Sequence, residues 1–318
     1  MSELQNGSLV QHVSLGVGKI VAVEPGAIHV FFPDSDKRFA AKLRLPAARP
    51  MLRTDGFEPN GWLEGLTAFS LDATTGRYAL SATWLTHEQA VAQFLAVYPE
   101  GFADPAYLEP AKARGGRAAR WRAAHLAWEK KLGKAEAERL VEEGDVEAFV
   151  ERARDVEKQV VPLHPPADVG VLKEALASEE ATRPLFLALM ELLSVPSPGR
   201  ARFDRLFAAA RGLPVEPAHQ WLVATLFPFV AAPDRHVLVR PRVTCLGAER
   251  LGCDVRYDAS PNWATYAAVR AVEVQLLERL APLGAKDFVD VEAFLHVTAT
   301  VRRPTAKAAG RVASARAR

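Results

Sequence analysis

The sequence predicts an α+β, multidomain protein: a small N-terminal antiparallel β-barrel followed by a mainly α-helical domain. Three observations predict it. Residues 7–53 carry short β-branched and aromatic runs separated by Pro, Gly and Asp turns at roughly ten-residue spacing. From Glu64 onward, capping signals and helix-length segments follow one another. Strands and helices never alternate as they do in parallel α/β folds, and no fixed-period repeat appears.

In chain order, Val10, His12 and Val13 belong to the first strand, and Gly16-Val17-Gly18 leads into Lys19-Ile20-Val21-Ala22-Val23. Glu24-Pro25-Gly26 suits a type II turn, because Pro presets φ at one central position and Gly supplies φ > 0 at the next. Ala27–Phe32 is the next strand, Pro33-Asp34-Ser35-Asp36 turns the chain, and Lys37–Lys42 returns it. The barrel is placed at residues 1–55, a linker and mixed α/β segment at 56–115, the α-helical domain at 116–300 and a disordered basic tail at 301–318. Thr86 and Gln89 form a capping box that opens a helix over Thr86–Tyr98. Arg117–Leu132 follows Gly115-Gly116, Asp145 caps Val146–Val160, and His164-Pro165-Pro166 interrupts the chain. Further helices are expected at Asp168–Ala177, Glu179–Leu193, Ala201–Arg211, Pro217–Val230 and Thr244–Leu251. Ser260 caps a helix that runs to Leu283 with Pro261 in its first turn, and Asp287–Thr298 is the last.

Two helical stripes stand out. Trp121, His125, Trp128 and Leu132 share one face of Arg117–Leu132, with Arg117, Arg120, Arg122, Lys130 and Lys131 elsewhere on it. That face either packs a core or stacks bases between arginines. Trp263, Ala267, Arg270, Val274 and Leu277 line the long C-terminal helix, so Arg270 must snorkel or find a carboxylate.

The chain has 318 residues, 49% hydrophobic and 25% charged, with two cysteines. Its length can bury a sizeable core, and two cysteines cannot staple a secreted scaffold of this size. No run approaches the ~20 apolar residues of a spanning helix, and Met1-Ser2-Glu3-Leu4 begins no signal peptide, so a cytoplasmic location without membrane contact is expected. The net charge of +2 is polarised. After Val301 come six of the 40 basic residues and no acid, which leaves 34 basic against 38 acidic residues over 1–301, a net of −4. Residues 1–53 are locally basic, with seven cations against four acids. The tail reads as a solvated segment or as an arm that contacts nucleic acid.

Motifs for chemistry are incomplete. Gly16-Val17-Gly18 is part of a dinucleotide fingerprint, but Val21 stands where the third glycine belongs and a strand follows where a helix is required. A bulge or tight strand entry explains these glycines. His87-Glu88 opens like a zinc-protease helix, but Val91 replaces the second histidine. Cys245 and Cys253 have no histidine nearby in sequence. Neither a Gly-x-Ser-x-Gly elbow nor a Gly-Lys-Ser/Thr phosphate loop occurs. Pro33-Asp34 precedes Lys42 as in a metal-dependent nuclease, yet Ala40 occupies the place of the second carboxylate. Glu292 and His296 can share a helix face, as a surface pair or as an acid/base couple. No catalytic residue, metal or cofactor is assigned.

Gly7-Ser8-Leu9-Val10-Gln11-His12-Val13, Gly16-Val17-Gly18-Lys19-Ile20-Val21-Ala22-Val23 and Ile28-His29-Val30-Phe31-Phe32 together resemble the Tudor/SH3-like module at the C-terminus of UvrD/PcrA-type helicases. More distantly they resemble the RNA-polymerase-interacting module of the CarD and Mfd families. The resemblance implies a five-stranded barrel that binds protein, RNA polymerase in the best-known relatives, with nucleic acid as a further ligand. Pro233-Asp234-Arg235-His236, Arg240-Pro241, Pro261-Asn262-Trp263 and Lys286-Asp287-Phe288-Val289-Asp290-Val291 resemble the C-terminal region of uncharacterised bacterial helical proteins, which implies a bacterial origin.

A non-enzymatic adaptor is the first expectation. Its barrel would dock on transcription or DNA-repair machinery, RNA polymerase or a repair complex, through a strand edge bearing Lys37, Arg38, Lys42 and Arg44, with Lys19 in the same module. The helical domain would hold a second partner. Arg235, His236 and Arg240 read as a basic cluster ahead of a helix capped at Thr244, suited to an anion or tied to acids such as Asp287 or Asp290. Direct DNA or RNA binding through the barrel, the Arg117–Lys131 helix and the tail competes with this, and an enzyme with a dispersed site in the helical domain is the third reading.

Overall fold

The computed structural model describes residues 4–58, 60–81, 83–109, 116–197 and 199–300; the tail read at 301–318 lies outside them. The fold is α+β. Strands β1 (Leu9–His12), β2 (Gly16–Glu24), β3 (Ala27–Phe31), β4 (Ala41–Arg44) and, after the short helix α1 (Leu45–Ala48), β5 (Leu52–Arg53) form one antiparallel sheet of order β4-β3-β2-β1-β5. It curls into a half-barrel and does not close. β5 has only two residues and lies at the edge opposite β4. β4 starts at Ala41, later than the predicted Lys37, because Asp36 Oδ1 accepts the backbone N–H of Arg38 and Phe39 at 2.9 and 3.0 Å and holds that stretch in a turn.

Packing explains the paired glycines. Gly16 has φ +78° in the β1–β2 turn, and a Cβ on Gly18 would lie 2.5 Å from the Phe32 ring and 2.7 Å from Val30. The β2–β3 register shifts between Ile20 and Ala22, a bulge that lets the sheet bend. Val10, Ile20, Ile28, Val30 and Phe32 fill one hydrophobic cluster of the curl. Val21 and Phe31 pack in another against Leu63, Leu66, Leu80 and Trp84. These come from the segment holding α2 (Gly61–Gly65) and the hairpin β6 (Ser70–Asp72)–β7 (Arg77–Ala79), so the predicted linker begins as a second layer over the sheet. Buried Lys19 ties the layers by donating from Nζ to the Glu64 carbonyl and, at 2.7 Å, to that of Leu66.

The helical body contains α3 (His87–Val97), α4 (Pro105–Leu108), α5 (Arg117–Leu132), α6 (Lys134–Glu143), α7 (Val146–Glu157), α8 (Val171–Ala175), α9 (Glu179–Leu193), α10 (Arg200–Arg211), α11 (Pro217–Ala231), α12 (Leu246–Arg250), α13 (Trp263–Leu280) and α14 (Phe288–Thr300). The capping box at Thr86 and the side-chain cap of Asp145 form as predicted, and Ser178 caps α9 by accepting the Ala181 N–H. Three details differ. Helix α6, framed by Gly133 and Gly144, occupies a stretch left unassigned. Asn262 caps α13 in place of Ser260, accepting the Thr265 N–H at 2.9 Å. Thr244 caps nothing: it lies in a π-turn over Pro241–Cys245 and donates to the Leu238 carbonyl at 3.0 Å. Helices α11 and α14 are apolar almost all round and form the centre of the body. Gly252 O accepts Thr67 and Ala68 N–H at 2.8 and 2.9 Å, joining the sheet's second layer to this body. No helix among the described residues is long and apolar enough to cross a membrane.

Because Gly18 is packed against an aromatic ring, Gly18→Ala should lower unfolding stability by about 1–3 kcal/mol. Urea melts would show a lower midpoint at unchanged slope; an unchanged midpoint would contradict the packing role.

Candidate functional site

β4 is paired on one side only, by β3. Around it, Lys42 Nζ donates to Glu24 Oε2 at 2.6 Å, and Glu24 Oε1 lies 2.9 Å from His29 Nε2. Hydrogen bonds from Lys42 and His29 lower the Glu24 pKa. The Arg38 guanidinium lies 4.8 Å from the centre of the Phe39 ring and 3.9 Å from Asp72. Lys37 and Arg44 are exposed, with no ion-pair partner among the described residues. Thus Lys42 and Arg44 lie on the open stretch of β4. Lys37 and Arg38 precede it on a stretch that β7 borders, where the Arg38 carbonyl accepts the Leu80 N–H at 3.1 Å and the Ala40 N–H donates to the Tyr78 carbonyl at 2.8 Å. Lys19 is buried between layers and takes no part in the edge.

Arg235, His236 and Arg240 do not come together as a basic cluster. Val237, Leu238 and Val239 between them are buried, and the three polar side chains leave this segment toward different neighbours. Arg235 donates to the Val195 carbonyl at 3.3 Å. His236 Nδ1 lies 3.4 Å from the Tyr266 hydroxyl, and burial, helped by the charges of Arg235 and Arg270, pushes its pKa down to about 3, so the ring is neutral. Arg240 reaches Glu292 at 3.4 Å.

Glu292 is the hub of a buried network on α14. Its carboxylate accepts Arg117 Nε and Nη2 at 2.8 and 2.5 Å and Trp121 Nε1 at 3.1 Å. Burial alone would raise its pKa, but Arg117 and Arg240 override that and hold it at about 2. Two residues earlier on α14, Asp290 accepts the Tyr107 hydroxyl at 2.6 Å and Arg122 Nη2 at 2.8 Å, and Asp287, just before the helix, accepts Arg122 Nη1 at 2.7 Å. Arg122 therefore occupies the acids proposed for the Arg235–Arg240 segment. Trp121 and Trp128 are buried, which makes their stripe core.

The Trp263–Leu277 stripe lies one face away from the buried face of α13, which carries Glu273. The buried side chains are Tyr266, Val269, Glu273, Leu276 and Leu280, so a lone acid on that spacing was the available signal. Burial, then the nearby Glu292, raise the Glu273 pKa well above 4.5, and its Oε2 has no hydrogen-bond partner. One carboxyl pushed up beside another held down is the pattern of an acid/base pair. Access is missing: Glu273 and Glu292 are each 2% exposed and His164 and Arg240 each 8%. The network orders helices and is closed to a substrate.

An open groove does exist elsewhere, about 520 Å³, between α5, α6, α9 and α11. Trp128, Leu132 and Met190 line it, with Glu129, Glu142 and Arg235 among its polar residues. Among the described residues the β4 edge and this groove are open, whereas the polar core around Glu292 is closed. No family model matches the chain, and no curated protein or solved structure is similar to it.

The buried groups set the pH response. Unfolded histidines titrate near 6.5, whereas burial holds His164 and His296 at about 4 and His236 at about 3. The unfolded chain therefore binds more protons between pH 6.5 and 4, and stability falls as the pH drops through that window. Glu273 has the opposite sign: it stays neutral in the fold while the unfolded carboxyl ionises above 4.5, so its contribution is lost as the pH rises. Glu273→Gln should leave stability unchanged at about pH 4 and raise it progressively toward about pH 8, measured by urea unfolding. A pH-independent effect would contradict the neutral carboxyl.

Proposed function

We propose that this chain is a protein-binding adaptor whose N-terminal sheet docks on transcription or DNA-repair machinery while its helical body holds a second partner. The observation that carries the reading is the open β4 edge with unpaired Lys37 and Arg44 beside it. A one-sided strand supports addition of an extended segment from a partner, and basic side chains favour an acidic one. The same charges discourage edge-to-edge pairing of two copies. RNA polymerase is the partner class implied by the N-terminal resemblance. Direct nucleic-acid binding loses support on α5, where Arg117, Arg122 and Lys131 are engaged by Glu292, Asp287 and Asp155 and both tryptophans are buried.

The test is surface plasmon resonance of the full chain with purified bacterial RNA polymerase core enzyme. Lys37→Glu/Arg44→Glu should weaken binding about tenfold or more without changing the melting temperature. Failure to bind polymerase, together with duplex binding that falls steeply with log salt and loses slope in this variant, would favour the nucleic-acid reading.

A further inference from the structure

We infer that the groove between α5, α6, α9 and α11 docks an amphipathic helix with basic flanks, supplied by a partner protein. This deepens the adaptor reading by naming the chemistry of the second partner, and it is independent of the β4 edge.

A second depression of about 570 Å³ lies between α9 and α10, on the other side of the ridge that Leu187 and Glu191 form on α9. A groove walled by helices with an apolar floor suits a helix that inserts side chains at i, i+3, i+4 and i+7. Trp128 and Leu132 are buried in the floor, while Leu187 is 44% and Val141 36% exposed beside it. Large apolar side chains left uncovered on α9 and α6 are where a partner's leucines would gain contact.

Charge decides what surrounds those leucines. Lys134 faces Glu138 at 3.9 Å, Glu191 is held by Arg205, and Arg235 lies 3.8 Å from Asp234 while donating to the Val195 carbonyl. Glu129 and Glu142 are exposed and have no ion-pair partner among the described residues. The uncompensated charge around the apolar floor is negative. A helix flanked by lysine or arginine complements it, and one flanked by acids is repelled.

The experiment uses the full chain and a fluorescein-labelled helical peptide of about 16 residues, with a leucine stripe and lysine flanks, read by fluorescence anisotropy. A second peptide carries the same stripe with glutamate flanks. The lysine peptide should saturate with a Kd of about 1–10 µM. Leu187→Asp and Glu129→Lys/Glu142→Lys should each weaken it about tenfold, whereas Lys37→Glu/Arg44→Glu leaves it unchanged. Leu187 and both glutamates are exposed, so these variants are expected to keep native circular dichroism and melting.

Equal binding of the glutamate peptide, or undiminished binding by the folded groove variants, would overturn the proposal. So would a tenfold gain in affinity on removing residues 301–318, which would assign the groove to the chain's own basic tail. A dimer in sedimentation velocity that Leu187→Asp dissociates would overturn it in favour of a second copy. RNA polymerase binding measured on the same preparations keeps the two readings apart: loss of peptide binding with polymerase binding intact removes only the groove.

Discussion

The Glu292 carboxylate is buried at the meeting point of three segments, and it stays ionised there only because the two segments packed against its own helix supply donors. Arg117 and Trp121 come from α5, Arg240 from the segment after α11, and the carboxylate itself from α14. Burying a carboxylate costs several kcal/mol, and removal of a single partner leaves that cost uncompensated. The helical body is thereby held in one arrangement. The same α5 that turns Trp121 toward Glu292 places Trp128 and Leu132 in the groove wall two turns on, so the buried lock and the open trough share one rigid element.

The N-terminal unit meets a different constraint. A two-residue β5 and a four-residue β4 leave the sheet a half-barrel that needs a cover. The segment around α2 and the β6–β7 hairpin provides it, anchored through Lys19 and, on the far side, through Gly252. A side chain on Gly252 would meet Leu66 and Trp84 at 2.8 and 2.9 Å, so the close approach of sheet layer and helical body depends on that glycine. This cover leaves β4 without a strand partner on its outer side over Ala41–Arg44.

What was legible in the sequence was local. Turn chemistry at Pro25-Gly26, the caps at Thr86 and Asp145, and the Trp121–Trp128 stripe all depend on residues within a few positions of one another. The buried network was not legible, because Arg117 and Glu292 are 175 positions apart and no local pattern links them. Contiguity misled at Arg235, His236 and Arg240, where a buried apolar stretch separates the cations. On α13 the Trp263–Leu277 spacing points to a face next to the buried one, which carries Tyr266, Val269, Glu273, Leu276 and Leu280. The cations around β4 are visible in the sequence as a basic run; the groove, assembled from four helices, is not.

The central claim, that a shared buried charge holds the helical body together, is tested most directly by a double-mutant cycle on Arg117→Met and Glu292→Gln. Urea unfolding of the wild type, the two single variants and the double variant gives the coupling between the side chains. The account predicts single variants that are each strongly destabilised and a coupling energy of about 2–3 kcal/mol. Additive effects, with coupling below about 0.5 kcal/mol, would contradict it.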